Sequence, residues 1–136
     1  LLNTKGFEGP AEEFRVAFEH YTHKRYKEAI AEASKAFEST MKAICAARGW
    51  THPPNATAKP LIDVIFSKGL IPTELLSHFT GLRSAMESGL PTLANSTSRH
   101  GQGAVTKTVP AHFAAYALHL TASNIVFLVE AHKDLK

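Results

Sequence analysis

The residues with the most chemistry in a short span are Asn95, Arg99 and His100, followed by Gly101-Gln102-Gly103. They lie in the run 89–103, the longest stretch without a hydrophobic period and rich in Gly, Pro, Ser and Thr. A loop of that length between helical patterns is more often functional than idle. An imidazole with an ordinary pKa near ~6.5 can take and return a proton at neutral pH. A nearby guanidinium can stabilise a phosphate that gains charge, an amide can orient either group, and the glycines open the backbone to a ligand. Together these are the minimum for metal-free cleavage of RNA, in which a base deprotonates a 2′-hydroxyl that attacks the adjacent phosphate. Taken alone, a loop histidine is more often only that.

Other chemistries lack their signatures. Gly101-Gln102-Gly103 has neither the lysine nor the preceding strand of a phosphate-binding loop. There is no His-Glu-x-x-His zinc motif, no paired cysteine ligands and no Gly-x-Ser-x-Gly elbow. The loop holds no carboxylate, which argues against a magnesium-dependent nuclease. No metal and no cofactor is expected. His20 and His23, one turn apart, lack a third ligand in the sequence and read as surface residues. His112 and His119, two turns apart, read as core or interface histidines.

The elements that position the loop read as helices throughout, with no period-two pattern. Pro10 opens a first helix to about His23, with Phe14, Ala17, Phe18 and Tyr21 on its apolar face. The second runs from Tyr26 to Arg48. Ile30, Ala33, Phe37, Met41 and Ile44 form its buried stripe, and Ala29, Ala36 and Ala43 a small-residue stripe that lets another helix approach. Gly49 ends it, and Cys45 is a buried spacer. Pro60 opens a third helix closed by Gly69, and Thr73 caps a fourth that Gly89 stops. Arg83, near the end of the fourth, reads either as a phosphate contact or, more commonly for such a place, as a solvated arginine. Thr108 and Pro110 start a last helix, running to about Lys133, that is apolar nearly all round and therefore buried in a bundle or at an oligomer interface. The fold class is all-α, an up-and-down bundle of four to five helices that dimerises through the long last helix and the central loop face.

The chain has 136 residues, a formal charge of +3, 44% hydrophobic and 20% charged residues, which fits one globular domain and permits a polyanionic partner. Residues 1–9 read as a linker from a further N-terminal region and 10–136 as the domain. A single cysteine suits a reducing cytoplasm. Neither a signal peptide nor an uninterrupted apolar run long enough to cross a bilayer is seen.

With these residues in place, the chain resembles the HEPN superfamily, and more narrowly the C-terminal domain of abortive-infection proteins. The resemblance rests on the second-helix stretch Glu32-Ala33-Ser34-Lys35-Ala36-Phe37-Glu38-Ser39-Thr40-Met41-Lys42, on Leu93-x-Asn95 followed by His100-Gly101-Gln102-Gly103, and on the apolar pattern from Ala114 to Leu128. It covers the chain from about Tyr26 onward.

The resemblance implies a homodimer whose loops face each other, and metal-independent endoribonuclease activity. His100 would be the acid and base and Asn95 would position the groups. A motif arginine would hold the scissile phosphate. Beside what the resemblance implies, Gly101, Gln102 and Arg83 are the expected substrate contacts. The implied role is toxin-like: cleavage of RNA on phage infection or stress, with an antitoxin or upstream sensor as further partner and no membrane. One position departs from the pattern. The arginine belongs directly before Asn95, and this chain has Ala94. In order of preference, the chain is a disabled form of a toxic domain, a natural non-catalytic member that binds RNA or a partner, or a protein in which Arg99 has taken over.

Overall fold

The computed structural model of the chain describes residues 5–72, Glu74 and residues 109–135. Among these residues there are helices and no strand: α1 (Glu8–Thr22), α2 (Tyr26–Arg48), α3 (Ala58–Ser67) and α4 (Ala111–Asp134). The architecture is the all-α bundle expected. The fourth helix read from Thr73 to Gly89 lies outside the described residues.

α2 is the axis of the bundle, packing against α1, α3 and α4. Ile30, Ala33, Phe37, Met41 and Ile44 recur at three- and four-residue spacing, so one face of the helix is apolar, and all five are fully buried. Ala29 and Ala36 of the small-residue stripe are also fully buried, and Ala43 packs against the core from its edge. Where α1, α2 and α4 meet, Ala17, Ala33 and Leu118 form a buried cluster. A larger side chain at Ala17 or Ala33 would hold the helices apart there.

Three helices end in one way. At the end of α2 the Trp50 N–H donates to the Cys45 carbonyl (2.9 Å) and Gly49 to Ala46 (3.3 Å), with Gly49 at φ +69°. At the end of α3, Leu70 donates to Ile65 (3.1 Å) and Gly69, at φ +77°, to Phe66 (3.2 Å). Each pair of bonds satisfies two of the carbonyls that a helix end leaves open. The end of α1 repeats the pattern, Arg25 to His20 (2.8 Å) and Lys24 to Tyr21 (3.0 Å), but the left-handed residue is Lys24, at φ +61°. No glycine marks that turn in the sequence.

Two helix starts differ from expectation for one reason. α1 begins at Glu8 and α3 at Ala58, each two residues before its proline, so Pro10 and Pro60 stand third rather than first. The first turn of a helix has no acceptors for its N–H groups, so a proline costs nothing there. Phe7, in the stretch read as a linker, is buried in the core just before α1. α4 starts as read, with Pro110 extended immediately before Ala111.

By length and composition alone α4 could cross a membrane, although His119, Thr121, Ser123 and Asn124 interrupt its apolar run. In this fold 44% of its most apolar eighteen-residue stretch is buried, and its inward side chains Ala114, Ala117, Ile125, Leu128 and Val129 join the core built on α2.

Candidate functional site

Arg83, Ala94, Asn95, Arg99, His100, Gly101 and Gln102 all lie outside the described residues. What the structure supplies is the frame around them. The chain leaves the described core at Pro72, after the buried pair Leu70 and Ile71, and returns at Val109, immediately before α4. In sequence, the run 89–103 read as the working part precedes α4 by seven residues, of which Val109 and Pro110 are described. Pro110 fixes the start of α4: its ring sets φ at −63°, its carbonyl accepts from the Phe113 N–H (3.1 Å), and the chain turns from extended to helical.

The first turns of α4 carry an exposed face. His112, Phe113, Tyr116 and His119 recur at helical spacing and are all exposed, with Tyr116 56% accessible. The His112 and Phe113 rings meet edge to face, centroids 5.0 Å apart. The two histidines are thus not core residues in this chain. A helix that is apolar nearly all round has more apolar surface than a three-helix contact can cover, and the remainder faces outward at Phe113, Tyr116 and Val126.

α1 adds to this surface. Phe18, read as part of the buried stripe, is 56% exposed, while Ala17 beside it is fully buried. The reason is geometric: α2 and α4 cover the Ala17 side of α1, and Phe18 falls one residue round the helix from that seam. Between α1 and α4 lies a groove of about 230 Å³, walled by Phe14, Phe18, Tyr21, Leu118, His119 and Ala122. A larger open groove, about 850 Å³, follows α4 further down past Ser123, Val126, Phe127 and Glu130.

His20 and His23 belong to the α1–α2 turn. His20 Nδ1 accepts from Arg25 Nε (2.8 Å), and the His23 Nδ1–H donates to the Glu19 carbonyl (2.9 Å). Among the described residues no three His, Cys, Asp or Glu side chains gather in a way that would hold a metal ion. Cys45 is fully buried, and burial raises the pKa of its thiol.

A cluster that sequence reasoning missed joins the far ends of α2 and α4. Arg48 Nε donates to His132 Nδ1 (3.0 Å), and its terminal nitrogen donates to the carbonyls of His132 and Leu135. The guanidinium so caps the last turn of α4 from a neighbouring helix, and Phe7 lies against the His132 ring with centroids 6.0 Å apart. Burial, and then the Arg48 charge, hold the His132 pKa below its ordinary value. The pairing spans 84 residues of sequence, so no local spacing could have disclosed it.

No curated protein and no solved structure matches the chain significantly. A protein-family comparison does: residues 8–132, which take in α1, α2, α3 and α4 as far as His132, match the Abi_C family, described as a HEPN-like domain. The resemblance drawn from the second helix, the Asn95–His100 loop and the last helix is thereby upheld, and the chain belongs to the Abi_C family of HEPN-like domains.

Proposed function

We propose that this domain is the effector part of an abortive-infection or related antiviral defence protein, built as a metal-independent endoribonuclease and disabled in this chain at Ala94. The observation that carries the reading is the family match across 8–132 together with Asn95 and His100 in the sequence before α4. In the parent reaction His100 takes the proton of an RNA 2′-hydroxyl. The 2′-oxygen then bonds to the adjacent phosphorus and the bond to the 5′-oxygen breaks. That oxygen receives a proton, leaving a 2′,3′-cyclic phosphate and a 5′-hydroxyl. The position before Asn95 requires a cation for the phosphorane's extra charge, and a methyl group at Ala94 cannot supply it.

The working unit in this reading is a homodimer in the cytoplasm, where Cys45 stays a thiol. The exposed apolar face of α1 and α4, with Phe18, Phe113 and Tyr116, supports a second copy seated there. An antitoxin or an upstream sensor domain would restrain the activity. Ala94 favours a second reading, a non-catalytic dimerisation module that binds RNA or a partner through the same loop.

The deciding experiment compares this chain with Ala94→Arg on total RNA in excess chelator and analyses the fragment ends. Cleavage by Ala94→Arg alone, with 2′,3′-cyclic phosphate ends and loss on a further His100→Ala change, supports the disabled nuclease. If neither protein cuts while both retain RNA or a partner, the binding module replaces it.

A further inference from the structure

We propose that Arg48, His132 and Phe7 form an acid-sensitive latch that ties the end of α4 to the end of α2 and to the segment before α1, and that releases when His132 is protonated. The chemistry follows from what each atom can do. A guanidinium nitrogen only donates, so His132 Nδ1, 3.0 Å from Arg48 Nε, is an acceptor and its ring proton sits on Nε2. Protonation at Nδ1 puts two donors and two positive charges face to face. The contact then changes from a hydrogen bond to a repulsion, in a part-buried place where water screens it incompletely.

The same guanidinium holds the carbonyls of His132 and Leu135. Displacing it therefore uncaps the last turn of α4 as well, and frees the ring against which Phe7 packs. Latch opening in this way couples one proton to both ends of the domain.

The neighbouring carboxylates bond elsewhere or are exposed. From α2 the group that faces the imidazole is Arg48, whose charge adds to burial in lowering the imidazole's pKa. From the segment before α1 comes Phe7, which is uncharged, while the neighbouring Glu8 carboxylate turns back to accept from the Gly6 N–H (3.0 Å). On α4 itself Lys133 pairs with Glu130 at 3.8 Å, and Asp134 is exposed. The direction of the His132 pKa agrees: the native state favours the neutral ring, so the stability the latch provides is present above the unfolded value near ~6.5 and is lost as pH falls below it.

The test is an NMR titration of the unmodified chain, following the His132 imidazole together with amide exchange in the last turn of α4 and the Phe7 ring signals. The expected result is a His132 pKa below the ordinary value, with amide protection and the Phe7 environment changing at the same midpoint. His132→Asn keeps a neutral acceptor near the Nδ1 position, and its last-turn protection should not respond to pH between about 7.5 and 5.5. A His132 that titrates at or above its ordinary value overturns the latch. So does protonation that leaves the Phe7 and last-turn signals unmoved.

Discussion

Tyr21 and Tyr26 face each other across the α1–α2 turn, ring centroids 5.8 Å apart and planes tilted by 55°. Both rings are part-buried against the core, so the pair closes the hairpin from the side on which the chain reverses. Tyr26→Ala removes the contact and much of the ring's buried area, and should cost about 2 kcal/mol in urea unfolding. A double-mutant cycle with Tyr21→Ala should return a coupling of roughly 0.5–1 kcal/mol. Zero coupling would mean that the rings only share a surface.

Lys24 stands in the left-handed position that glycine fills at Gly49 and Gly69. Its side chain is exposed, so exchanging it loses little packing. Lys24→Gly should therefore raise the unfolding midpoint, by about 0.5–1 kcal/mol of stability. Gly49→Ala should do the reverse, costing about 1 kcal/mol. Its new Cβ would meet no neighbour within 4 Å, so the cost is conformational and not steric crowding from the surroundings.

Thr121 is fully buried in α4, and its hydroxyl oxygen has no hydrogen-bond partner among the described residues. A buried hydroxyl without a partner costs free energy that a methyl group does not. Thr121→Val, nearly the same shape, should stabilise the fold by about 1 kcal/mol, measured as a higher midpoint at unchanged m-value. A loss of stability would reveal a bond to the hydroxyl.

Cys45 offers a probe of global opening. Alkylation requires the thiolate, and burial both shields the sulfur and raises its pKa, disfavouring the thiolate. At pH ~8 the native protein should react with iodoacetamide at least ~100-fold more slowly than the urea-unfolded chain, and destabilising variants should react faster, by about tenfold for each ~1.4 kcal/mol of stability lost. Rapid labelling of the native chain would contradict the packing of α2.

Phe18 and Tyr116 are each 56% exposed although both are large and apolar. If a second copy covers them, Phe18→Glu and Tyr116→Glu should shift the sedimentation of the protein to that of a monomer, with far-ultraviolet circular dichroism unchanged. Persistence of the dimer in both variants would move the interface elsewhere.

Some of this structure could be read from the chain and some could not, for physical reasons that differ by element. α2 matches its expected span because a long apolar stripe and a terminal glycine both act locally. The starts of α1 and α3 were displaced because proline is compatible with several first-turn positions. Lys24 gave no sign of a left-handed turn because the need for it arises from the tertiary return of the chain. Phe18 read as core because periodicity marks a face but not the width of the seam that covers it. For the site, residue types and order led to the family, while the Arg48–His132 contact depends on two helix ends distant in sequence. The placement of Asn95 and His100 relative to each other lies outside the described residues.

The order of the helices has a consequence for synthesis. α1 and α2 can pair as soon as they clear the ribosome, since three residues join them. Among the described residues, however, the face of α2 that receives α4 gains its cover only once α4 has been made, after α3 and residues 68–110. During that interval a nascent chain displays fully buried side chains of the finished fold, a surface that chaperones bind and that promotes misassociation. Slow translation between Ser67 and Ala111 would lengthen the exposure, so the yield of folded protein should depend on how quickly that segment is decoded.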